Sequence, residues 1–217
     1  MIDIVIDLET LGTRPGCPII EIAACAIDPC TGRITANFSR RVLCPLTYDT
    51  VDRTSKAKAC SLPHDRFDTM QWWMGDEERK DTLRKILGAG IPLRDALIDL
   101  TFWFVKTKRD PDGIGTLPAR IWANGPSFDI AILAEAYVVT GLPRPWLCYD
   151  ERCVRTALEM AHYEKGSVSW IENGPRHRAL NDARHEARKL YLSGALGEVS
   201  MIARRMRQRG TVKGDLA

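Results

Sequence analysis

The sequence lacks the features that mark disulfide-rich, zinc-binding and membrane proteins. Its 217 residues include seven cysteines but no Cys-x-x-Cys pair, and an odd number of thiols fits reduced cysteines better than a disulfide framework. No run approaches the roughly 18 apolar residues of a membrane span, and no basic, cleavable leader precedes the first apolar segment. We therefore predict a soluble cytoplasmic protein that has no structural zinc and does not contact a membrane.

An excess of charge of one sign is also missing. The formal net charge is only +3, because 31 Lys and Arg residues nearly balance 28 Asp and Glu residues. No strong overall field attracts a polyanion, so any contact with nucleic acid has to come from a local patch. Internal repeats and low-complexity segments are absent from the sequence as well. With 45% hydrophobic and 27% charged residues, the composition is that of an ordinary globular domain.

Residues 2–10, IDIVIDLET, are the most informative stretch of the chain. Their β-branched and apolar residues predict a central strand that is buried on both faces. Asp7 and Glu9 are two positions apart, so their carboxylates leave the same face near the end of this strand. Two like charges are costly to bury together, and a divalent cation with oxygen ligands would neutralise them. The alternative is a pair of solvated acids where the strand runs into a loop.

The elements expected after this strand define the fold class. Strands at 19–27 and 33–43, separated by a short turn, predict an antiparallel meander with the first strand. Residues 44–64 lack periodicity and predict a long loop. Further strands are expected at 120–123 and near 146–149, and helices are expected at 65–74, 76–87, 93–106, 127–140, 151–162, 180–192 and 197–209. This order predicts an α/β fold with a mixed five-stranded sheet whose first three strands are antiparallel.

Two more acids are expected at the ends of these elements. Asn-Gly-Pro follows the strand at 120–123, and a possible N-cap at Ser127 places Asp129 in the first turn of a helix, where the dipole alone favours an acid. In the run HRALND, Asp182 lies in the first turn of another helix and His177 precedes it. A histidine taken alone is more often a surface or capping residue than a catalyst. Four acids gathered at one point, however, would be balanced by two divalent cations.

The three motifs resemble those of DEDD-type 3′→5′ exonucleases of the ribonuclease H-like (DnaQ-like) fold, in the DEDDh subclass whose fifth residue is histidine. They are Asp7-Leu8-Glu9-Thr10, Asn124-Gly-Pro-Ser-Phe-Asp129 and His177-Arg-Ala-Leu-Asn-Asp182. As in that subclass, the histidine precedes the last acid by five positions. A finer similarity, to the ribonuclease T-like and exonuclease VIII-like branch, rests on residues 7–16, on Trp72-Trp73 and on residues 150–156.

The resemblance implies an enzyme that hydrolyses phosphodiester bonds at the 3′ end of single-stranded RNA or DNA and releases nucleoside 5′-monophosphates. Asp7, Glu9 and Asp182 would hold one divalent cation. Asp7 and Asp129 would hold the second, and either Mg²⁺ or Mn²⁺ would serve. His177 would be the general base. The alternatives are a nucleic-acid-binding module of the same fold that no longer cuts, and a hydrolase of small phosphodiesters.

The resemblance also implies a site for the terminal nucleotide at Thr10, Leu11 and Gly12, where backbone groups would take the 3′-hydroxyl and Leu11 would wedge against the last base. Trp72 and Trp73 could stack a base, but adjacent helical residues point about 100° apart, so at most one is expected to face the substrate. We assign that role to Trp73.

The resemblance extends over roughly residues 2–192. We predict an exonuclease domain at 1–195 and a C-terminal helix with a basic tail at 196–217, packed on the same domain. Homodimerisation is expected from the ribonuclease T-like branch.

Overall fold

Five strands form one mixed sheet in a computed structural model that describes residues 1–56, 64–110, 112, 115–164 and 175–196. The strands are β1 (Ile2–Thr10), β2 (Ile19–Ile27), β3 (Ile34–Arg41), β4 (Ala119–Ala123) and β5 (Glu151–Cys153). Their order is β3-β2-β1-β4-β5, with antiparallel pairing among the first three and parallel pairing of β4 with β1 and with β5. The predicted α/β class, the antiparallel meander and the central position of the first strand are confirmed.

Helices pack on both faces of the sheet. In the described residues they are α1 (Tyr48–Ser55), α2 (His64–Trp73), α3 (Glu77–Ile86), α4 (Leu93–Thr107), α5 (Asp129–Val139), α6 (Val154–Met160) and α7 (Ala179–Ser193). The predicted helices between residues 65 and 192 are confirmed with small shifts of their ends. The helix predicted at 197–209 lies outside the described residues. No described helix combines the length and the apolar character that crossing a bilayer requires.

Two predictions of local structure are wrong. Residues 44–64 are not all loop, because α1 forms there with Thr47 as its N-cap, whose hydroxyl accepts a hydrogen bond from the N–H of Thr50. Val51 is the one buried apolar residue of α1, so the sequence of this segment shows no clear helical periodicity of apolar residues. The fifth strand lies at 151–153 and not at 146–149, where a 3₁₀ turn at 148–150 occupies the chain instead.

The alternation of β1 decides which helices meet its acids. Ile4, Ile6 and Leu8 pack in the core that includes α4 and α5, whereas Val5 packs on the opposite side against α7. Because residues of one parity share a face, Asp7 and Glu9 point to the side that α7 covers. The parallel pairing of β1 with β4 also brings the end of β1 close to the start of α5, just beyond β4.

Candidate active site

Three carboxylates from two elements converge at the end of β1. One oxygen each from Asp7, Glu9 and Asp182 lies within 4.8 Å of the others. Glu9 is only 8% exposed and Asp7 is partly buried, so these charges have little water around them. Carboxylate oxygens at this spacing are the donor set of a hard divalent cation, and the residues present therefore fit such an ion.

Asp129 approaches the same end of β1 from α5, outside the group of three oxygens. It is the first residue of α5, and its Oδ1 accepts a hydrogen bond of 3.2 Å from the backbone N–H of Leu8, the residue between the two acids of β1. This bond fixes the Asp129 carboxylate against β1. The predicted cap at Ser127 is wrong, because the capping position is occupied by Phe128 and no side chain caps the helix.

Burial, reinforced at Asp7, Glu9 and Asp182 by neighbouring acids, raises the pKa values of the cluster. Burial raises the pKa of Asp7 well above its usual range, and the nearby charge of Asp129 adds to the effect. Burial and the charge of Asp182 do the same to the pKa of Glu9. Burial raises the pKa values of Asp129 and Asp182 to about 7. The ionised cluster is therefore electrostatically unfavourable without a counter-ion, which is the property expected of a cation site.

His177 lies in the loop that immediately precedes α7 and faces the same cleft as the acids, a cavity of about 640 Å³. Its backbone is in the left-handed region, with φ of 59°, and its N–H donates to the Asp182 carboxylate. Burial, and then the charge of Arg79, lower the pKa of His177. A lowered pKa favours the neutral imidazole, which is able to accept a proton.

The segment after β1 contributes backbone, not an apolar wedge, to the cleft. Thr10 and Gly12 line the cleft, and the Thr10 hydroxyl donates to the carbonyl of Gly12 at 2.6 Å. A side chain at Gly12 would meet the Cβ of Cys17 at 2.7 Å, so only glycine fits this turn. Leu11 is 0% exposed in the core beneath α2 and does not line the cleft, so its burial does not fit the predicted wedge against a base.

The two tryptophans of α2 have different environments. Trp73 is 1% exposed, and its Nε1 donates to the carbonyl of Thr10 at 2.9 Å. Trp72 is 44% exposed, lines the cleft, and its ring lies edge-on to His177 at 4.8 Å and beneath the Arg79 guanidinium at 4.5 Å. The choice of Trp73 for stacking does not fit this burial, because its face is covered. Trp72 offers the accessible ring.

Sequence reasoning missed a further acid beside the cluster. Glu186 follows Asp182 by one helical turn, is buried, and its charge raises the pKa values of both Asp7 and Asp182. Lys189 pairs with one of its oxygens at 2.6 Å. The spacing of four positions on one helix face is the signal that could have identified Glu186.

The fold and the order of the three motifs are those of the class that the sequence resembles, the DEDDh 3′-exonucleases. Within that class, residues 2–192 match the model of the 3′-5′ exoribonuclease Rv2179c-like domain, and the chain belongs to this family. The protein is therefore a 3′-5′ exonuclease, a hydrolase that acts at the 3′ ends of nucleic acids.

Solved structures of nucleases share the fold at low sequence identity. A 3′-exonuclease bound in a structure of 3′-end specific recognition of a histone mRNA stem-loop is 15% identical, with a TM-score of 0.52, over 88% of this chain and 80% of that one. Cell-death related nuclease 4 is 11% identical, with a TM-score of 0.53, over 90% of this chain and 64% of that one. Escherichia coli Exonuclease I, in complex with a dA16 oligonucleotide, is 14% identical, with a TM-score of 0.53, over 88% of this chain and 40% of that one. A comparison with curated protein sequences finds no significant match.

Proposed function

We propose that this protein removes nucleotides from the 3′ end of single-stranded RNA by a two-cation mechanism and releases nucleoside 5′-monophosphates. The convergence of the Asp7, Glu9 and Asp182 carboxylates within 4.8 Å carries the proposal, because only bound cations make such a cluster favourable. The family description supports RNA over DNA as the substrate. A pure nucleic-acid binder has no reason to hold repelling acids together.

The acids are assigned to two cations. Asp7, Glu9 and Asp182 would hold one, and Asp7 with Asp129 would hold the other, with Mg²⁺ and Mn²⁺ both suited to oxygen donors. Two such ions, when bound, activate a water and stabilise the leaving oxygen of a phosphodiester. Asp129 can keep its orientation throughout, since the N–H of Leu8 fixes its carboxylate.

His177 would act as the general base. Its ring faces the cleft that the acids line, and its backbone N–H is bonded to Asp182, so the imidazole has a defined place relative to the acids. A neutral imidazole there would take the proton of the attacking water as the phosphodiester is cleaved.

The terminal nucleotide would lie between the turn after β1 and α2. Backbone groups of Thr10 and Gly12 would contact the 3′-hydroxyl, and the bond from Trp73 to the Thr10 carbonyl would hold that turn in place. Trp72, which is exposed in the cleft, would stack against the base.

A cleavage assay on matched substrates tests this function. Single-stranded RNA and DNA of one sequence, each labelled at the 5′ end, would be incubated with Mn²⁺ under single-turnover conditions. We expect shortening of RNA by single nucleotides, with nucleoside 5′-monophosphates as products and no reaction when a 3′-phosphate blocks the end. Faster cutting of DNA would overturn the substrate assignment. Failure to cut either polymer would favour a nucleic-acid-binding module that no longer cuts. A preference for dinucleotides would favour a hydrolase of small phosphodiesters.

Mn²⁺ is expected to raise the melting temperature of the wild-type protein. The ion binds the folded acid cluster and not the dispersed acids of the unfolded chain, and at about 100 times Kd the stabilisation is about 2.7 kcal/mol. For a chain of this size that gain corresponds to roughly 5–10 °C. Differential scanning fluorimetry across a Mn²⁺ titration measures it. The Asp7→Asn variant is the control, and an equal shift in both proteins would contradict the site.

Trp72→Ala is expected to raise KM for RNA by at least about fivefold with a smaller effect on kcat. Loss of one stacked base costs about 1–3 kcal/mol of binding. Steady-state kinetics on a short RNA would measure the change. The control is Phe102→Ala, which removes a more exposed aromatic ring on α4, 72% against 44%, away from the cleft. An unchanged KM in the Trp72 variant would remove this residue from the substrate site.

Three expectations from the sequence stay predictions. Homodimerisation can be measured by light scattering of the purified protein, and cytoplasmic location by fractionation. The C-terminal segment of 197–217 lies outside the described residues, so its packing on the domain stays a prediction as well.

A further inference from the structure

A second buried glutamate lies directly opposite an acid of the active site. In the antiparallel register of β1 and β2, Glu21 is the partner of Glu9, so both side chains leave the same face of the sheet. Glu21 is 1% exposed. Like charges in directly opposed positions destabilise a sheet, and the proposed mechanism gives Glu21 no part in holding a cation. Its position therefore needs another explanation.

Both oxygens of Glu21 are bound by the start of α7. Oε1 accepts from Nη2 of Arg178 at 2.7 Å, and Oε2 accepts from Nε of Arg178 at 3.1 Å. Oε2 also accepts from the backbone N–H of Ala179, the first residue of α7, at 3.1 Å. A planar guanidinium that binds a carboxylate in this two-pronged manner restricts orientation as well as distance. Glu21 is thus fixed to the start of α7.

The residues on either side of this contact belong to the proposed catalytic site. His177 immediately precedes Arg178, and its φ of 59° is a conformation that a non-glycine residue keeps only when its surroundings hold it. Asp182 lies three positions after Ala179, in the first turn of α7. Arg178 also carries a positive charge near Glu9 and lowers the pKa of that acid, so it offsets the repulsion between Glu9 and Glu21.

We propose that Glu21 is a positioning residue that fixes the start of α7 to β2, and that it thereby sets Asp182 and His177 at their distances from Glu9. The proposal rests on the function proposed above. Without the contact, α7 would still pack on the sheet through Ala183, Ala187 and Leu190, but its first turn would lose its attachment beside Glu9. The expected defect is therefore in cation binding and in the rate of the chemical step, and not in the fold as a whole.

The neighbouring strand, β1, offers a matched control. Asp3, near the other end of β1, is equally buried and is bound in the same two-pronged manner by Arg120, at 2.6 and 2.8 Å. Asp3 and Asp7 are four positions apart, roughly 13 Å along a strand. Asp3→Ala should therefore reproduce the stability cost of losing a buried ion pair without disturbing the acids at the cleft.

The experiment compares Glu21→Ala, Glu21→Gln and Asp3→Ala with the wild type. Isothermal titration calorimetry measures Mn²⁺ affinity in each folded protein, and steady-state kinetics on RNA separates kcat from KM. For Glu21→Ala we expect Mn²⁺ affinity to fall at least about tenfold and kcat to fall with it, while KM changes little. Glu21→Gln keeps an acceptor for the Ala179 N–H and should recover part of both losses. If Glu21→Ala does not fold, Glu21→Gln alone decides, because a twofold or larger loss of Mn²⁺ affinity is expected there too.

One pattern of results would overturn the inference. If the Glu21 variants lose melting temperature as Asp3→Ala does but bind Mn²⁺ like the wild type, Glu21 is merely structural. A wild-type protein that binds no Mn²⁺ and cuts no RNA would instead overturn the proposed function, and this inference with it. The wild-type protein tells the two failures apart, because it binds Mn²⁺ and cuts RNA in the first case and does neither in the second.

Discussion

Asp7→Asn is expected to lower the rate of 3′-end cleavage by roughly 10³-fold or more. Asp7 is the acid that both proposed cations share, and loss of about 4 kcal/mol of cation-derived stabilisation corresponds to that factor. The amide keeps the size of the side chain but removes a charge that the charges of Asp129, Glu9 and Asp182 oppose. The metal-free variant should therefore fold normally and melt at the wild-type temperature or above it.

Single-turnover cleavage in Mn²⁺ and melting in a chelator would test both halves of this expectation. Asp3→Asn gives the opposite pattern in the same strand, because Asp3 forms a buried pair with Arg120 and takes no part in the cleft. That control should lose stability and keep its cleavage rate. An Asp7→Asn protein that cuts within threefold of the wild-type rate would end the cation assignment.

His177→Asn is expected to lower kcat by about 10²–10⁴-fold while Mn²⁺ affinity stays near that of the wild type. This is the range that a general base contributes, and an amide cannot take up the proton. Asparagine tolerates the left-handed backbone that residue 177 adopts, so the loop should keep its conformation. Kinetics and calorimetry on one preparation would show whether chemistry is lost without loss of cation binding.

The control for this variant is His162→Asn. His162 also has a positive φ, of 51°, but it lies just after α6 and does not line the cleft. It should cut at the wild-type rate. A His177→Asn protein with undiminished kcat would exclude the imidazole as the base, and a parallel loss of Mn²⁺ affinity would show that residue 177 supports the cations instead.

Much of the sheet and of the acid cluster follows from local spacing. Asp7 and Glu9 share a face because strand residues alternate, and the short turn between the second and third strands dictates antiparallel pairing. Asp129 and Asp182 could be placed at helix starts because apolar periodicity and turn residues mark those starts in the sequence. Their approach to Asp7 and Glu9 was predicted from the resemblance of the motifs, since no local rule brings residues more than a hundred positions apart together.

The side chains that were misassigned depend on tertiary contacts. Trp72 and Trp73 are adjacent and identical in type, and the sequence does not tell which ring packs in the core beneath α2 and donates to the Thr10 carbonyl. Leu11 is the first residue of a turn-rich loop in the sequence, but the core beneath α2 encloses it. Glu21 reads as one polar residue in an apolar strand, and its partner Arg178 is 157 positions away.

The two ends of β1 treat negative charge in different ways. Asp3 is paired with Arg120 of the same chain, so the charge at that end of β1 is neutralised as soon as the protein has folded. In the proposed mechanism, Asp7 and Glu9 instead take their counter-charge from cations of the surrounding medium, so the other end is neutralised only while such cations are present. A fall in the concentration of free divalent ions would therefore stop cleavage without unfolding the enzyme, and activity would resume once the concentration rose again.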